Sequence, residues 1–192
     1  MDAGEMEKIF ERLRVNQEIA DKFFEIETCI LSVLDFKALF EKLLSEIGTR
    51  FSIPYVWLSM VDESEISPLI GAIESSDDLR GRLKIIESEG FLELVEDRTK
   101  PLLANGDLKH FYKLFPSSQK YFLKSIAVVP LLLDGRIIGS LNLGDSDPMR
   151  YRPGMDTRFL EQLAVKLSIC LSNVTAHEKL RLLAEYNPAP QE

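Results

Sequence analysis

The side chains able to do covalent or acid–base chemistry are few and scattered. The histidines are His110, in "DLKHFYKLF", and His177, and the cysteines are Cys29 and Cys170, neither in a C-x-x-C pair. A nucleophile needs a nearby base and a third group to orient it, so an enzyme would have to bring His110 within hydrogen-bond reach of an acid or nucleophile such as Asp107 or Ser59. One histidine without a second-ligand spacing points only weakly to a metal. The expectation for His110 is a surface loop; lining a pocket beside Phe111 and Tyr112, or holding a haem or metal with ligands from elsewhere, are the alternatives. His177 extends an apolar helical seam and reads as an interface residue. Both cysteines sit inside helical apolar patterns and read as small buried hydrophobes in a reducing compartment, with a disulfide or reactive thiol as the alternative.

A second stretch that could do chemistry is "LNLGDSDPMRYRPGMDTRFLEQL", residues 141–163, with two prolines, three aspartates and three arginines. Asp145-Ser146-Asp147 begins like a calcium loop but lacks the third oxygen ligand, the glycine and the distal glutamate. Gly144 and Gly154 are isolated, so no phosphate cradle forms. Arg150, Arg152 and Arg158 are expected to pair with Asp145, Asp147 and Asp156 as solvated ion pairs. Pro148 and Pro153 stop the preceding strand, and Asp156 or Thr157 can cap the following helix. The stretch therefore reads as a joint. No catalytic residue, metal site or cofactor is assigned.

The elements around these residues follow from periodicity. In residues 5–34, Ile19, Phe23, Ile26, Ile30 and Val33 step by 4, 3, 4, 3, a heptad seam, with Met6, Ile9, Phe10 and Leu13 continuing it imperfectly across Asn16. Asp35 is a fair N-cap for a second helix, whose Phe36, Leu39, Phe40, Leu43, Leu44 and Ile47 mark one face. "IPYVWLSMVDES" predicts a strand and "ISPLIGAIES" its hairpin partner, with Asp62 to Glu65 as the turn. Residues 76–97 read as weakly helical, "KPLLA" at 100–104 as a short strand and "NGDLKHFYKLFPSSQ" as irregular. Leu160, Leu163, Leu167, Cys170 and Val174 then step by 3, 4, 3, 4 along a last helix over 156–185.

The clearest local signal is "SIAVVPLLLDGRIIGSLNLG", two strands joined by Asp134-Gly135, a dipeptide suited to the positive φ of a type I′ turn. A regular ladder then sets Leu133 opposite Arg136, Leu131 opposite Ile138, Val129 opposite Ser140 and Ala127 opposite Asn142. One face is wholly apolar: Ile126, Val128, Pro130, Leu132, Ile137, Gly139, Leu141 and Leu143. The other mixes Ala127, Val129, Leu131 and Leu133 with Arg136, Ile138, Ser140 and Asn142. In the first strand Val56, Leu58 and Met60 face away from Tyr55, Trp57, Ser59 and Val61. The apolar faces are expected to meet the helices, giving an α+β layered domain.

The 192 residues have room for one domain and a helical extension, and 45% hydrophobic residues can form its core. A net charge of −8 argues against binding nucleic acid through clustered cations. The longest apolar run, "IAVVPLLL" at 126–133, is far short of the roughly 20 residues a membrane span needs, and the first residues lack a signal-peptide core. A soluble cytoplasmic protein without membrane contact is expected. The division expected is 1–34, an N-terminal dimerisation helix; 35–185, the domain with its long last helix; and 186–192, a disordered tail.

Val129-Pro130-Leu131 and Ile138-Gly139-Ser140-Leu141, in a late hairpin ahead of a long helix, resemble the GAF domain over residues 36–175. "DPMRYRPGMDTRFLEQLA", "KIFERL" and "DFKALFEKLL" resemble more narrowly the uncharacterised proteobacterial GAF-like family called domain of unknown function 484. The resemblance implies an antiparallel sheet with terminal helices packed on one face and a loop-covered pocket on the other, in a bacterial signalling protein. It also implies homodimers through the terminal helices, here Ile19, Phe23, Ile26, Ile30, Leu163, Leu167, Cys170 and Val174. With the mixed face as pocket wall, the candidate ligand residues are Trp57, Ser59, His110, Phe111, Tyr112, Ala127, Val129, Ser140 and Asn142. The Asn-Lys…Phe…Asp-Glu signature of cyclic-nucleotide binders is missing, as are a pocket cysteine for a bilin and the loop cysteines of relatives that reduce free methionine sulfoxide. The expectation is a non-catalytic sensor of an unidentified small molecule that passes its signal to a possible effector protein. A ligand-free interaction scaffold, its pocket filled by Trp57 and Phe111, and an enzyme of unknown reaction are the alternatives.

Overall fold

The computed structural model describes residues 3–95, 100–116 and 119–186. The chain opens with two helices, α1 (Ala3–Leu31) and α2 (Phe36–Arg50). Asp35 caps α2, its carboxylate accepting from Ala38 N–H at 2.7 Å. Strand β1 (Tyr55–Val61) leads not into a hairpin but into a 3₁₀ turn and helix α3 (Ser67–Glu74). "ISPLIGAIES" is helical because its buried apolar residues Ile66, Leu69 and Ile73 step by 3 and 4, and Pro68 sits in the first turn, where no N–H partner is needed.

Residues 76–95, expected as weak helix, hold α4 (Asp77–Arg80), β2 (Leu83–Ile86) and α5 (Ser88–Leu92). β2 pairs parallel to β1, Leu58 opposite Leu83, a pairing that α3 and α4 make possible as the crossover. Then follow β3 (Leu102–Asn105), a cover of turns, β4 (Ser125–Leu133), β5 (Arg136–Asp145) and α6 (Arg158–Tyr186). The sheet order is β2-β1-β5-β4-β3, so the sheet expected to be antiparallel is mixed, with one parallel pair at its edge. Tyr186, the first residue of the expected 186–192 tail, still belongs to α6, and residues 187–192 lie outside the described residues.

The β4–β5 turn has the positive φ angles expected, 51° at Asp134 and 78° at Gly135. The regular ladder does not last. Leu132 pairs with Ile137, but Leu131 pairs with Gly139, leaving Ile138 as the extra residue of a bulge. From there on the register is shifted by one: Val128 stands opposite Asn142 and Val129 opposite Leu141. Gly139 takes φ 153°, and a Cβ on it would lie 2.1 Å from the Ser59 carbonyl oxygen. The bulge therefore exchanges the two faces of β4 beyond it relative to β5. Ala127 and Val129 belong with Leu141, Leu143, Val56 and Leu58 on the helix side, while Ile126, Val128 and Pro130 lie on the loop side with Trp57, Ser59, Ser140 and Asn142.

On the helix side α2 packs on β1, α6 packs on β4, and α1 lies against both helices. Successive contacts run Phe23 to Phe159, Glu27 to Lys166 and Ile30 to Cys170, so α1 and α6 are parallel neighbours. The seams expected to join two copies are occupied within the chain. Ile26, Ile30, Leu163, Leu167, Cys170 and Val174 are at most 2% exposed, Phe23 is buried and Ile19 half-buried. A heptad spacing reports a helix–helix contact without saying whether the partner is internal. Residues 4–18 of α1 are exposed.

Candidate functional site

The loop side of the sheet gathers four of the sequence-predicted residues. Trp57 and Ser59 from β1, and Ser140 and Asn142 from β5, are fully buried beneath the cover between β3 and β4. Trp57 Nε1–H donates to the Leu114 carbonyl at 2.8 Å, and the Ser59 hydroxyl donates to the same oxygen at 3.0 Å. Asn142 Nδ2 donates to Ser59 Oγ at 2.9 Å, and the Ser140 hydroxyl donates to Asn142 Oδ1 at 3.0 Å. These polar groups thus hold the cover down through one another, as buried polar groups must. Phe115, not Phe111, stands edge-on to Trp57, ring centroids 5.6 Å apart. Both phenylalanines are buried, and nothing in an irregular segment tells which of the two meets the indole. Gly144 leaves room for the indole: a Cβ there would come within 2.9 Å of Trp57 Cζ3.

His110 is exposed, its ring edge-on to Phe111, and no hydrogen bond joins it to Asp107 or Ser59. Asp107 accepts instead from Lys109 N–H. Among the described residues no three His, Cys, Asp or Glu side chains cluster closely enough to hold a metal ion. Cys170 is buried on the helix side, its thiol directed at the Ile30 carbonyl, and burial pushes its pKa up.

Beside the closed centre, between β2, α5 and the cover, lies an open cleft of about 240 Å³. Lys84, Lys113 and Lys120 reach it, with Glu87 as the one carboxylate, and Tyr112 forms part of the wall. The Lys120 ammonium lies 5.9 Å from the Tyr112 ring centroid. Three ammonium groups around one cleft of a net-negative chain suit a small anion. The lysines were illegible in the sequence: they come from β2 and two parts of the cover, with no common spacing. Leu114 lines this cleft, and its carbonyl receives both the Trp57 and Ser59 bonds, so the cleft and the sheet centre share one residue.

The joint after β5 is built as expected in part. Arg150 donates to Asp145 at 3.1 Å and to the Phe51 carbonyl at the end of α2. Arg158 pairs with Asp156 at 2.6 Å and holds its carboxyl below the usual range, whereas Arg152 pairs with neither Asp145 nor Asp147. Asp156 Oδ1 accepts from Arg158 N–H in the first turn of α6. The Asn105 side chain donates to the Pro148 carbonyl, and the Ser125 hydroxyl donates to that of Asp147, so β3 and β4 fasten the loop.

Tyr151 is buried in this joint, and its hydroxyl makes no hydrogen bond. Burial pushes its pKa up to about 12, against the pull of the Arg150 charge. A folded-state pKa above the unfolded value of about 10 stabilises the fold at lower pH and stops doing so as pH rises through it. Tyr151→Phe should therefore remove up to about 2 kcal/mol of the stability lost between about pH 10 and 12, read as the difference between the two proteins' denaturation curves over that range.

A family model described as the GAF domain matches residues 33–172. Among solved structures, the chain is similar to free methionine-R-sulfoxide reductase from Neisseria meningitidis in complex with its substrate. The TM-score is 0.54 at 18% identity, covering 81% of this chain and 89% of that one. It is also similar to the GAF domain of an Acinetobacter phosphoenolpyruvate-protein phosphotransferase, with TM-score 0.53 at 16% identity over 90% of this chain and 97% of that one. A bacteriophytochrome from R. palustris aligns with TM-score 0.56 at 10% identity over 88% of this chain but 40% of its own length. No curated protein matches the sequence. No helix among the described residues is long and apolar enough to cross a membrane.

Proposed function

Because the chain belongs to the GAF domain family, we propose that it is a non-catalytic regulatory domain of a bacterial signalling system, sensing a small anionic metabolite in the lysine-lined cleft and acting as a homodimer. The carrying observation is that Leu114 lines the cleft and also accepts from Trp57 and Ser59. An anion drawn in by Lys84, Lys113 and Lys120 pulls on the cover at the point where the cover is fastened to the sheet. Binding shifts the conformational balance only as far as the anion prefers one placement of the cover.

The dimer rests on apolar residues left over once the chain has packed itself. On α1, Met6, Phe10, Leu13, Phe24 and Leu31 are 38% to 68% exposed and step by 4, 3, 11 and 7, in phase with a heptad. On α6, Val165, Ile169, Leu180 and Leu183 are at least 50% exposed and step by 4, 11 and 3. Stripes of this extent suit helix pairing between copies. They lie beside the seams named from the sequence, on the same helices. A ligand-free scaffold is the second reading, favoured by the complete hydrogen bonding of Trp57, Ser59 and Asn142.

Native mass spectrometry of freshly purified protein tests these readings together. The expected result is a dimer that becomes monomeric in Phe24→Asp, retaining a small anion that Lys113→Glu loses. A monomeric wild type overturns the dimer. A dimer that retains nothing, and shows no thermal shift with phosphorylated and carboxylated metabolites, overturns the sensor in favour of the scaffold.

A further inference from the structure

The five-stranded sheet ends on β2, which pairs with β1 and with no other strand among the described residues. In a parallel pair, alternate residues turn both their N–H and their C=O toward one neighbour. The Arg82 carbonyl accepts from Leu58 N–H and the Ile86 carbonyl from Asp62 N–H, so Arg82, Lys84 and Ile86 face β1. Leu83 and Ile85 therefore turn their N–H and C=O groups to the open side, and both residues are only half-buried. Lys84 stands opposite Ser59, which puts its side chain on the loop side of the sheet, in the lysine cleft. Lys113 reaches the same place from the cover: a Cβ on Gly90 of α5 would lie 3.3 Å from its ammonium. None of Lys84, Lys113 and Lys120 is in an ion pair among the described residues. The other edge strand, β3, has the sequence Leu-Leu-Ala-Asn and carries no charge.

We infer that the β2 edge is the docking site for an extended acidic segment of a partner protein, which adds to the sheet as a sixth strand. The backbone of that segment pairs with the outward groups of Leu83 and Ile85, and its alternate side chains fall on the loop side. A strand added there lies about 4.8 Å beyond β2, so a glutamate or aspartate opposite Lys84 comes within reach of its ammonium. Residues between the acids fall on the helix side, beside the half-buried Leu83 and Ile85 side chains, and are best apolar. Charge makes the choice of partner. A lysine on an edge strand discourages pairing in general, and three ammonium groups against the single carboxylate of Glu87 readmit only a strand that brings carboxylates. The acidic segment and a small anion compete for the same lysines, so the metabolite reading of the cleft gains an output, but the open edge does not rest on that reading.

The test titrates the full chain, dialysed free of small anions, with a labelled heptapeptide of alternating glutamate and valine, followed by fluorescence anisotropy and amide NMR. The peptide should bind, bind about 10-fold more weakly to Lys113→Glu, and weaken with added salt. In the complex the amide protons of Leu83 and Ile85 should become protected from exchange, as paired strand amides are. The same peptide with every backbone nitrogen methylated keeps its carboxylates but cannot pair, and should not bind. Ile85→Pro deletes one outward N–H without removing a bond to β1 and should abolish binding; the methylated peptide decides if that variant does not fold. Absence of binding overturns the inference. So does equal binding by the methylated peptide or by a lysine–valine peptide, or protection that appears only around Tyr112 and Lys113. Its failure is separable from that of the sensor. Native mass spectrometry that finds no retained anion overturns the sensor even where the peptide binds, and a retained anion without peptide binding overturns this inference alone.

Discussion

Gly139→Ala should lower stability by about 3 kcal/mol or more, read from the midpoint of a urea or guanidinium transition, and Gly139→Val should prevent folding. The added Cβ would lie 2.1 Å from the Ser59 carbonyl oxygen and 3.0 Å from Met60 Cα, both backbone atoms that only a parting of β1 from β5 relieves. The φ of 153° adds strain of its own, since L side chains avoid that region. Gly135→Ala is the control. Gly135 also has positive φ, 78°, but open space where the Cβ would stand, so that change should cost only about 1 kcal/mol. Equal effects from the two would show that the bulge is not pinned against Ser59.

Trp57→Ala should cost about 3–5 kcal/mol, the range for removing a fully buried aromatic side chain. The indole fills the space between the sheet and Phe115, so its loss leaves a void as well as an unmatched surface. Hydrogen exchange separates this variant from a general loss of core. The amides of the cover, 106–115 and 119–123, should lose protection before those of β4 and β5, because Trp57 and Ser59 are what fasten Leu114 to the sheet. Trp57→Phe keeps most of the volume and leaves Leu114 with the Ser59 bond, so it should cost about 1–2 kcal/mol. Uniform loss of protection in Trp57→Ala would mean that the cover does not open as a unit. Trp57 is the one tryptophan of the chain, so wild-type fluorescence reports on this contact alone.

The layered α+β fold was legible wherever one physical signal acted alone. The 3, 4 spacing of Ile26 and Ile30 and of Leu163, Leu167, Cys170 and Val174 marks α1 and α6, Asp35 marks the start of α2, and Asp134-Gly135 marks the hairpin. The reading failed where a tertiary contact overrides local regularity. A bulge at Ile138 lies three residues past an ideal turn and depends on the approach of β1 to Gly139, which no local pattern in β4 or β5 encodes. Its effect on the candidate site was selective. Trp57, Ser59, Ser140 and Asn142 share a face under either register because they belong to β1 and β5, beyond the bulge, whereas Ala127 and Val129 on β4 change sides. "ISPLIGAIES" was misread because a short apolar run fits both periods, and Pro68 decides for a helix start. The lysine cleft is assembled from segments far apart in sequence, so composition carried no trace of it.

The packing of α1 on the domain begins at Ile19, one turn before the stacked pair Phe23 and Phe159, and residues 4–18 are exposed beyond it. From Ile19 back to Ala3 is an arm of about 24 Å at the rise of an α-helix. With Ile19 as fulcrum, a tilt of about 5° moves the far end by roughly 2 Å. Displacements too small to disturb the core at Phe23, Phe51 and Phe159 are thus magnified at Met6 and Phe10. A spin-label pair with one member near residue 6 would record motion that labels placed within the domain would miss.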